Sequence, residues 1–365
     1  MSDFFHEATT GFLQPIGEFL SDESVSEIMI NGYKQIYIEK KGKILPTKAR
    51  FEDSDHLMAA VRRIAQAVGK KMDQEHPIMD GRLSDGSRVH AVIPPVAKKG
   101  IYLTIRKFTK DTLDLKTLVK VGALSLDMAK FLNLCTSLKK NMIVSGGTSS
   151  GKTTLLNVIS SLIPKEDRIV VIEDASELDL NQDHVLPMET LLGSREDQAK
   201  ISIRDLVKAS LRMRPDRIVI GEVRSGEAMD LLQAMNTGHD GSFATIHANS
   251  PLGALSRLET LAMMSGMDFP LIALRSQIGS AVEILVQTSR MRDGTRKITH
   301  ISEVLGVDEA GHYHVEDLFV FKVKKIDSKG NVVGDHQATG KLPSFYRDAK
   351  MQGFTISRAM FQKSS

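Results

Sequence analysis

Residues 146–153 read Gly146-Gly147-Thr148-Ser149-Ser150-Gly151-Lys152-Thr153, with Thr154 following. A short apolar run, Met142 to Ser145, leads into this stretch, and residues 152–163 continue it with helical spacing. Strand, glycine-rich loop and helix in that order form the context in which Gly-x-x-x-x-Gly-Lys-Thr holds nucleotide phosphates. The glycines let the backbone curl into a nest of N–H groups, and the helix behind it contributes its positive dipole end. Gly146 to Thr154 are therefore the expected phosphate cradle. Lys152 is expected on the β- and γ-phosphates and Thr153 on Mg²⁺. No Asn-Lys-x-Asp guanine-reading motif occurs, so ATP is the expected nucleotide.

Two acidic strand ends follow. Arg168 to Ile172 ends in Glu173-Asp174, with Glu177 one turn later, and Arg217-Ile-Val-Ile-Gly-Glu222 ends in a glutamate where a Walker B strand more often has aspartate. Ligands of open α/β sheets bind at the C-terminal strand edge, so both carboxylate groups can reach the phosphates. Glu222 is expected to orient or deprotonate the attacking water and to share in the magnesium shell; Glu173 is the second choice as base. An acidic strand end placed between the cradle and the Walker B strand suggests a RecA-like sheet with an inserted strand.

Working outward, apolar strands at Ile169 to Ile172, Ile218 to Ile220, Phe243 to Ile246 and Ala281 to Val286 alternate with helical segments, the pattern of a largely parallel sheet. The first third differs. Alternating runs at Glu27 to Asn31, Gln35 to Glu39, Arg88 to Ile93 and Tyr102 to Phe108 read as strands, and Asp55 to Val68 as a helix. The expected fold is α/β, a RecA-like P-loop ATPase domain with a smaller α+β N-terminal domain. Expected boundaries are 1–108 for the α+β domain, 109–122 for a linker, 123–323 for the ATPase domain and 324–365 for a C-terminal extension.

Composition narrows the class. Of 365 residues, 41% are hydrophobic and 25% charged, values of an ordinary folded protein, and the length favours two domains. No apolar stretch approaches the roughly 20 residues of a membrane span, and residues 1–20 lack the basic head and apolar run of a secretory signal, so a cytoplasmic location is expected. The single cysteine, Cys135, lies on an apolar helical face and reads as a structural thiol. A net charge of +3 from 48 basic and 45 acidic residues lacks the excess of a dedicated nucleic-acid binder.

The segment Thr237 to Ser250 places His239 and His247 on either side of a short strand, too few ligands for zinc and better suited to sensing phosphate. Together with the cradle, Ile172-Glu-Asp-Ala-Ser-Glu-Leu178, Arg212 to Arg224 and Met235-Asn-Thr-Gly-His-Asp-Gly241, it resembles the secretion and pilus traffic ATPases. The likeness is greatest to the CpaF-type branch that powers Tad (tight adherence, Flp) pili, and it spans roughly residues 25–323. The resemblance implies a Walker A motif, an Asp box, a Walker B motif and a His box, which map onto Lys152, Thr153, Glu173, Glu177, Glu222, His239 and His247. It also implies a homohexameric ring acting on an inner-membrane platform protein, peripheral to the membrane through that partner. The first domain shares it through Asp80 to Pro95 and Leu103 to Phe108, where relatives use arginines on nucleotide phosphates; Arg88 and Arg106 are the corresponding residues. With one cysteine, the chain cannot build the tetracysteine zinc module of many type II secretion ATPases. It is also expected to begin almost directly with the nucleotide-side domain, without the longer N-terminal bundle and disordered leader common in the Tad branch.

The resulting expectation is a hexameric ATPase that binds ATP between its domains, closes Arg88 and Arg106 over the phosphates, and swings about the 109–122 linker to drive pilus assembly. An ATPase of a type IV secretion or conjugation channel is the alternative within the same family. A DNA-acting RecA-like motor would need a basic, aromatic-lined channel, which no tryptophan and 5% aromatics disfavour, so no nucleic-acid partner is expected.

Overall fold

The computed structural model describes residues 11–40, 42–108, 113–191 and 200–363. The chain divides into two compact units, Met1–Asp111 and Thr112–Ser365.

The first unit opens with a short helix, α1 (Gly17–Ser21), followed by strands β1 (Val25–Asn31), β2 (Ile36–Lys40) and β3 (Lys43–Pro46). Helix α2 (Ser54–Ala67) comes next, then β4 (Ile78–Arg82), β5 (Arg88–Val92) and β6 (Tyr102–Arg106). The six strands form one antiparallel sheet in the order β3-β2-β1-β6-β5-β4. Asp53 caps α2 by accepting the His56 N–H at 2.7 Å, and Leu57, Ala60, Val61, Ile64 and Ala65 form its buried stripe. Opposite it, Ile28, Ile30, Val89, Ala91, Leu103 and Ile105 supply the sheet's core face at every second position. Strands β3 and β4 were not legible in sequence, because all four residues of β3 are exposed and β4 carries Asp80-Gly81 in place of alternating side chains.

The second unit begins with α3 (Leu115–Lys120) and α4 (Leu126–Ser137), then β7 (Met142–Gly146), α5 (Lys152–Ser160), β8 (Ile169–Glu173) and β9 (Val185–Glu189). It continues through α6 (Ile203–Ser210), β10 (Arg217–Ile220), α7 (Glu227–Asn236), β11 (Phe243–His247), α8 (Pro251–Met263) and α9 (Leu271–Ala281). Four antiparallel or edge strands close it: β12 (Ile284–Arg290), β13 (Arg296–Val307), β14 (Tyr313–Ile326) and β15 (Val332–Ala338), followed by α10 (Tyr346–Met351). One nine-stranded sheet runs β15-β14-β13-β12-β7-β11-β10-β8-β9, with β12 through β9 parallel and β13 to β15 antiparallel. This is the RecA-like arrangement, since the loop-bearing strand β7 does not touch β10. The strand inserted between them is β11, with the acidic strand β8 on the far side of β10. Sequence order had suggested the acidic strand for that place, but chain order and strand order diverge across right-handed crossovers.

Two boundaries differ from expectation. Residues 109–112 of the expected linker lie outside the described residues, as do 1–10 of the expected first domain. The rest of the linker is α3, capped by Asp114, which accepts the Thr117 N–H at 2.7 Å, and its Leu118 enters the second unit's core. The expected extension after Lys324 is likewise part of that core. Strand β14 runs two residues past Lys324 to pair with β15, and Phe345, Tyr346, Ile356 and Phe361 are buried in the cluster holding Phe131 and Cys135. The sequence hid this because the buried residues of the tail are few and irregularly spaced. Cys135 is fully enclosed there, and burial pushes its thiol pKa well up, as suits a structural thiol.

Phe361 stands edge-on to Phe131 with ring centroids 5.6 Å apart and sits as near to Phe319. Phe361→Ala is expected to cost about 3–5 kcal/mol through the cavity it leaves, read as a lower urea midpoint at unchanged slope. A loss below about 1 kcal/mol would show that the tail is not part of the folded core.

Candidate nucleotide-binding and catalytic site

The phosphate loop is built by three strands. Gly146 pairs with His247 of β11 on one side and Thr288 of β12 on the other, so loop, imidazole and hydroxyl share one sheet edge. Position 146 must be glycine for lack of room: a Cβ there would lie 2.3 Å from Thr288 Oγ1 and 2.4 Å from Ser150 Oγ. Ser150 donates to the Gly147 carbonyl at 2.8 Å and lies 2.8 Å from Thr288 Oγ1, which also donates to Ser145 O at 3.1 Å. Thr148 and Ser149 are exposed at the loop's apex, and Gly151 caps α5 in a left-handed conformation (φ 96°). Thr153 and Thr154 lie in the first turn of α5, half-buried.

Lys152 Nζ donates to the Gly147 carbonyl at 3.0 Å, folded back across its own loop. Burial pulls its pKa down; the charges of Glu222 and Glu177 oppose this, and Arg224 adds to it. A cation held short of full hydration beside exposed N–H groups suits phosphate oxygens.

Glu222 extends from β10, two residues beyond the strand's end. Its Oε2 accepts from Arg224 Nη2 at 2.5 Å, and Arg224 Nη1 donates at 2.9 Å to Asp174 Oδ2. Glu222 Oε1 is buried and lies 2.8 Å from His247 Nε2, out of line for a hydrogen bond, so among the described residues it is a buried acceptor without a donor. Burial and the neighbouring Lys152 lower the His247 pKa against the pull of Glu222, so its imidazole is neutral at physiological pH. For Arg224, burial is outweighed by Glu222, Asp174 and Glu177, and its pKa rises.

The structure places two of the expected site residues apart from Glu222 and His247. Glu173, the second choice as base, is buried at the end of β8 and accepts the backbone N–H groups of Glu177 at 2.9 Å and Leu178 at 3.2 Å. It shapes the turn that brings Glu177 toward Lys152, accepting two backbone N–H groups of that turn. His239 precedes β11 while His247 ends it. A five-residue strand about 16 Å long therefore separates them, and only His247 is at the phosphate edge. Gly241, two residues after His239, answers a different need. A Cβ on Gly241 would lie 1.8 Å from Arg217 Nη1, the guanidinium that bonds Asp167, Thr136 O and Gly241 O at the opposite edge.

Residues missed in sequence include Thr288 and Arg224. Nothing in the sequence links position 288 to position 146, whereas Arg224 follows Glu222 by two, the spacing that returns side chains to one face of an extended chain. In the first unit, Arg88 and Arg106 are direct cross-strand partners, with Arg82 opposite Arg88 and Glu27 opposite Arg106. Direct partners share a face, so Arg82, Arg88 and Arg106 form a cationic row across three strands.

An oxygen-rich donor set suits magnesium. Thr153 in the first turn of α5 and the carboxylate of Glu222, one oxygen of which is buried without a donor, meet that requirement. Among the described residues, a cluster of Asp73, Glu75 and His76 also occurs, half-buried to exposed on a turn of the first unit.

A Mycobacterium tuberculosis protein provisionally named for conjugal transfer is 35% identical over 298 residues, covering 80% of this chain and 83% of its own length. Conjugal transfer protein TrbB of Rhizobium radiobacter is 33% identical over 304 residues (81% and 88%), and type IV secretion system protein VirB11 of Bartonella quintana 31% over 327 (79% and 91%). In fold, the Legionella pneumophila ATPase DotB matches with a TM-score of 0.57 at 20% identity, over 78% of each chain. The ADP-bound pilus retraction motor PilT matches at 0.54 and 22%, over 76% and 77%. Residues 11–312 match the model of the Type II/IV secretion system proteins, and the chain belongs to that family.

Proposed function

We propose that the chain is the ATP-hydrolysing motor subunit of a type IV secretion or conjugal transfer machine. The observation that carries the catalytic part is Glu222. Its carboxylate has one buried oxygen without a donor and stands among Lys152, His247 and Arg224 at the edge where the phosphate loop opens. The names of the relatives support a transfer channel over the pilus-assembly motor expected from the motifs, although a Tad pilus motor would use the same residues.

In the mechanism, the phosphates of ATP enter the nest of backbone N–H groups from Gly147 to Lys152, and Lys152 exchanges the Gly147 carbonyl for β- and γ-phosphate oxygens. Thr153 and Glu222 would hold Mg²⁺, which when bound neutralises charge on the phosphate oxygens. Glu222 orients the attacking water and accepts its proton. Neutral His247, one strand over, keeps an N–H or a lone pair available to the same water and phosphate. Glu173 holds the turn behind Glu177. The guanidinium groups of Arg88 and Arg106 act on the phosphate oxygens as charge spreads over them in the transition state. The working unit is a homohexamer at the cytoplasmic face of the inner membrane, with an integral platform protein as its partner; no described helix is long and apolar enough to cross a bilayer itself.

Three measurements test this reading. Glu222→Gln is expected to lower kcat by about 10²- to 10⁴-fold while ATP still binds; an unchanged rate leaves a non-hydrolysing scaffold. Removing the Arg88 or Arg106 guanidinium by Ala substitution is expected to cost about 10³-fold in kcat with a smaller change in binding, and equal losses in both would remove the transition-state role. Deleting the gene should abolish DNA transfer or protein export with surface pili intact; loss of pili alone would establish the pilus motor instead.

A further inference from the structure

The phosphate loop is held from outside by the turn joining β12 and β13. Ser149, at the loop's apex, adopts a left-handed backbone (φ 57°), a conformation that residues with a Cβ keep only where the surroundings impose it. Its N–H neighbours form the nest, and its carbonyl is the group that must be fixed for them to face inward. Arg296 Nε donates to that carbonyl at 3.0 Å, across 147 residues of sequence. The stem of Arg296 also lies over Gly151, the loop's other left-handed position: a Cβ built there would meet Arg296 Cδ at 3.3 Å. One side chain thus engages both left-handed residues of the cradle.

The backbone that carries Arg296 is held in place. It is the first residue of β13, paired with Arg290 across the hairpin. Asp293 in the turn accepts from Thr295 N at 2.9 Å and Thr295 Oγ1 at 2.7 Å through one oxygen, and from Val332 N at 2.7 Å through the other. These bonds depress the Asp293 carboxyl pKa and tie the turn to the start of β15. Two β-hairpins therefore fix the backbone that carries Arg296, while its side chain, like Thr148 and Ser149 of the loop it bonds, is exposed.

We propose that Arg296 is a positioning residue for the nucleotide, presetting the phosphate loop in its binding-competent shape before ATP arrives. Preorganisation of this kind acts on binding, because the ordering cost is met by the protein instead of by the ligand. The inference rests on the phosphate loop being a nucleotide site, and the test separates the two. Arg296→Met keeps an apolar stem over Gly151 and loses the donor; Arg296→Lys keeps stem and charge with a single donor centre. The readouts are hydrogen exchange of the amides of 147–151 in nucleotide-free protein, the Kd of a fluorescent ADP analogue, and KM against kcat for ATP. In the Met variant, exchange of the loop amides is expected to quicken, and Kd and KM to rise about tenfold, the effect of losing a charge-assisted hydrogen bond, with kcat falling by less. The Lys variant should recover part of this, and both variants should unfold at the wild-type temperature. Unchanged exchange and unchanged Kd in the Met variant overturn the proposal. Equal losses in the Met and Lys variants overturn it as well, since the side chain would then matter only as packing. Wild-type protein that binds no nucleotide overturns the functional reading instead, and the exchange measurement still decides whether Arg296 orders the loop.

Discussion

The position of β7 between β11 and β12 is the constraint from which the rest of the second unit follows. Parallel register sets Gly146 opposite both His247 and Thr288, so the phosphate loop begins beside the end of β11 and near the end of β12. Because parallel strands bury both faces, these segments are mostly apolar, and most of their polar residues gather toward the loop-bearing edge, as at Ser145 in β7 and Gln287 and Thr288 in β12. Chemistry is thus confined to a line of strand ends: Glu173, Glu222, His247 and the loop. The opposite edge is anchored by Arg217, wholly buried against Asp167 at 2.7 Å; breaking such a pair costs about 3–5 kcal/mol, because one charge is left buried alone. Gly241 is required there because that guanidinium occupies the space a side chain would need.

Within the line of strand ends, Glu222 is the residue under opposing influences. Arg224 engages one carboxylate oxygen, and the other faces a neutral imidazole without a well-aligned donor. A carboxylate fully solvated at this position would be a mobile charge; one held by a guanidinium is a charge with a fixed direction. Burial lowers the pKa of both Lys152 and His247, against the pull of Glu222 on each. Arg224 links Glu222 to Asp174, so the two acidic strand ends, separate in sequence, act on one another through a single side chain.

The antiparallel half of the sheet is more than an appendage. Strands β12 and β13 contribute Thr288 and Arg296 to the loop, while β13 and β14, with the tail behind them, pack Phe319, Phe345 and Phe361 around Phe131 of α4. Rigidity in the core beneath the loop and support at its apex therefore come from residues far downstream in the chain. The Asp293 bond to Val332 N extends that continuity to the last strand.

What the sequence by itself determined was local: the phosphate loop between a strand and a helix, the glutamates ending two strands, the amphipathic helix of the first unit, and alternating strands beside it. Each depends on short-range periodicity or on a backbone conformation that few residue types permit. Tertiary structure alone decided which strands became neighbours. Neighbour choice put His247 beside the phosphate loop, left His239 at the far edge, and made core of a tail read as an extension. It also recruited Thr288, Arg224 and Arg296. The contacts of Thr288, Arg296 and the tail, and that of Arg224 with Asp174, join residues tens to hundreds of positions apart, and the packing that selects them leaves no periodic trace in the chain.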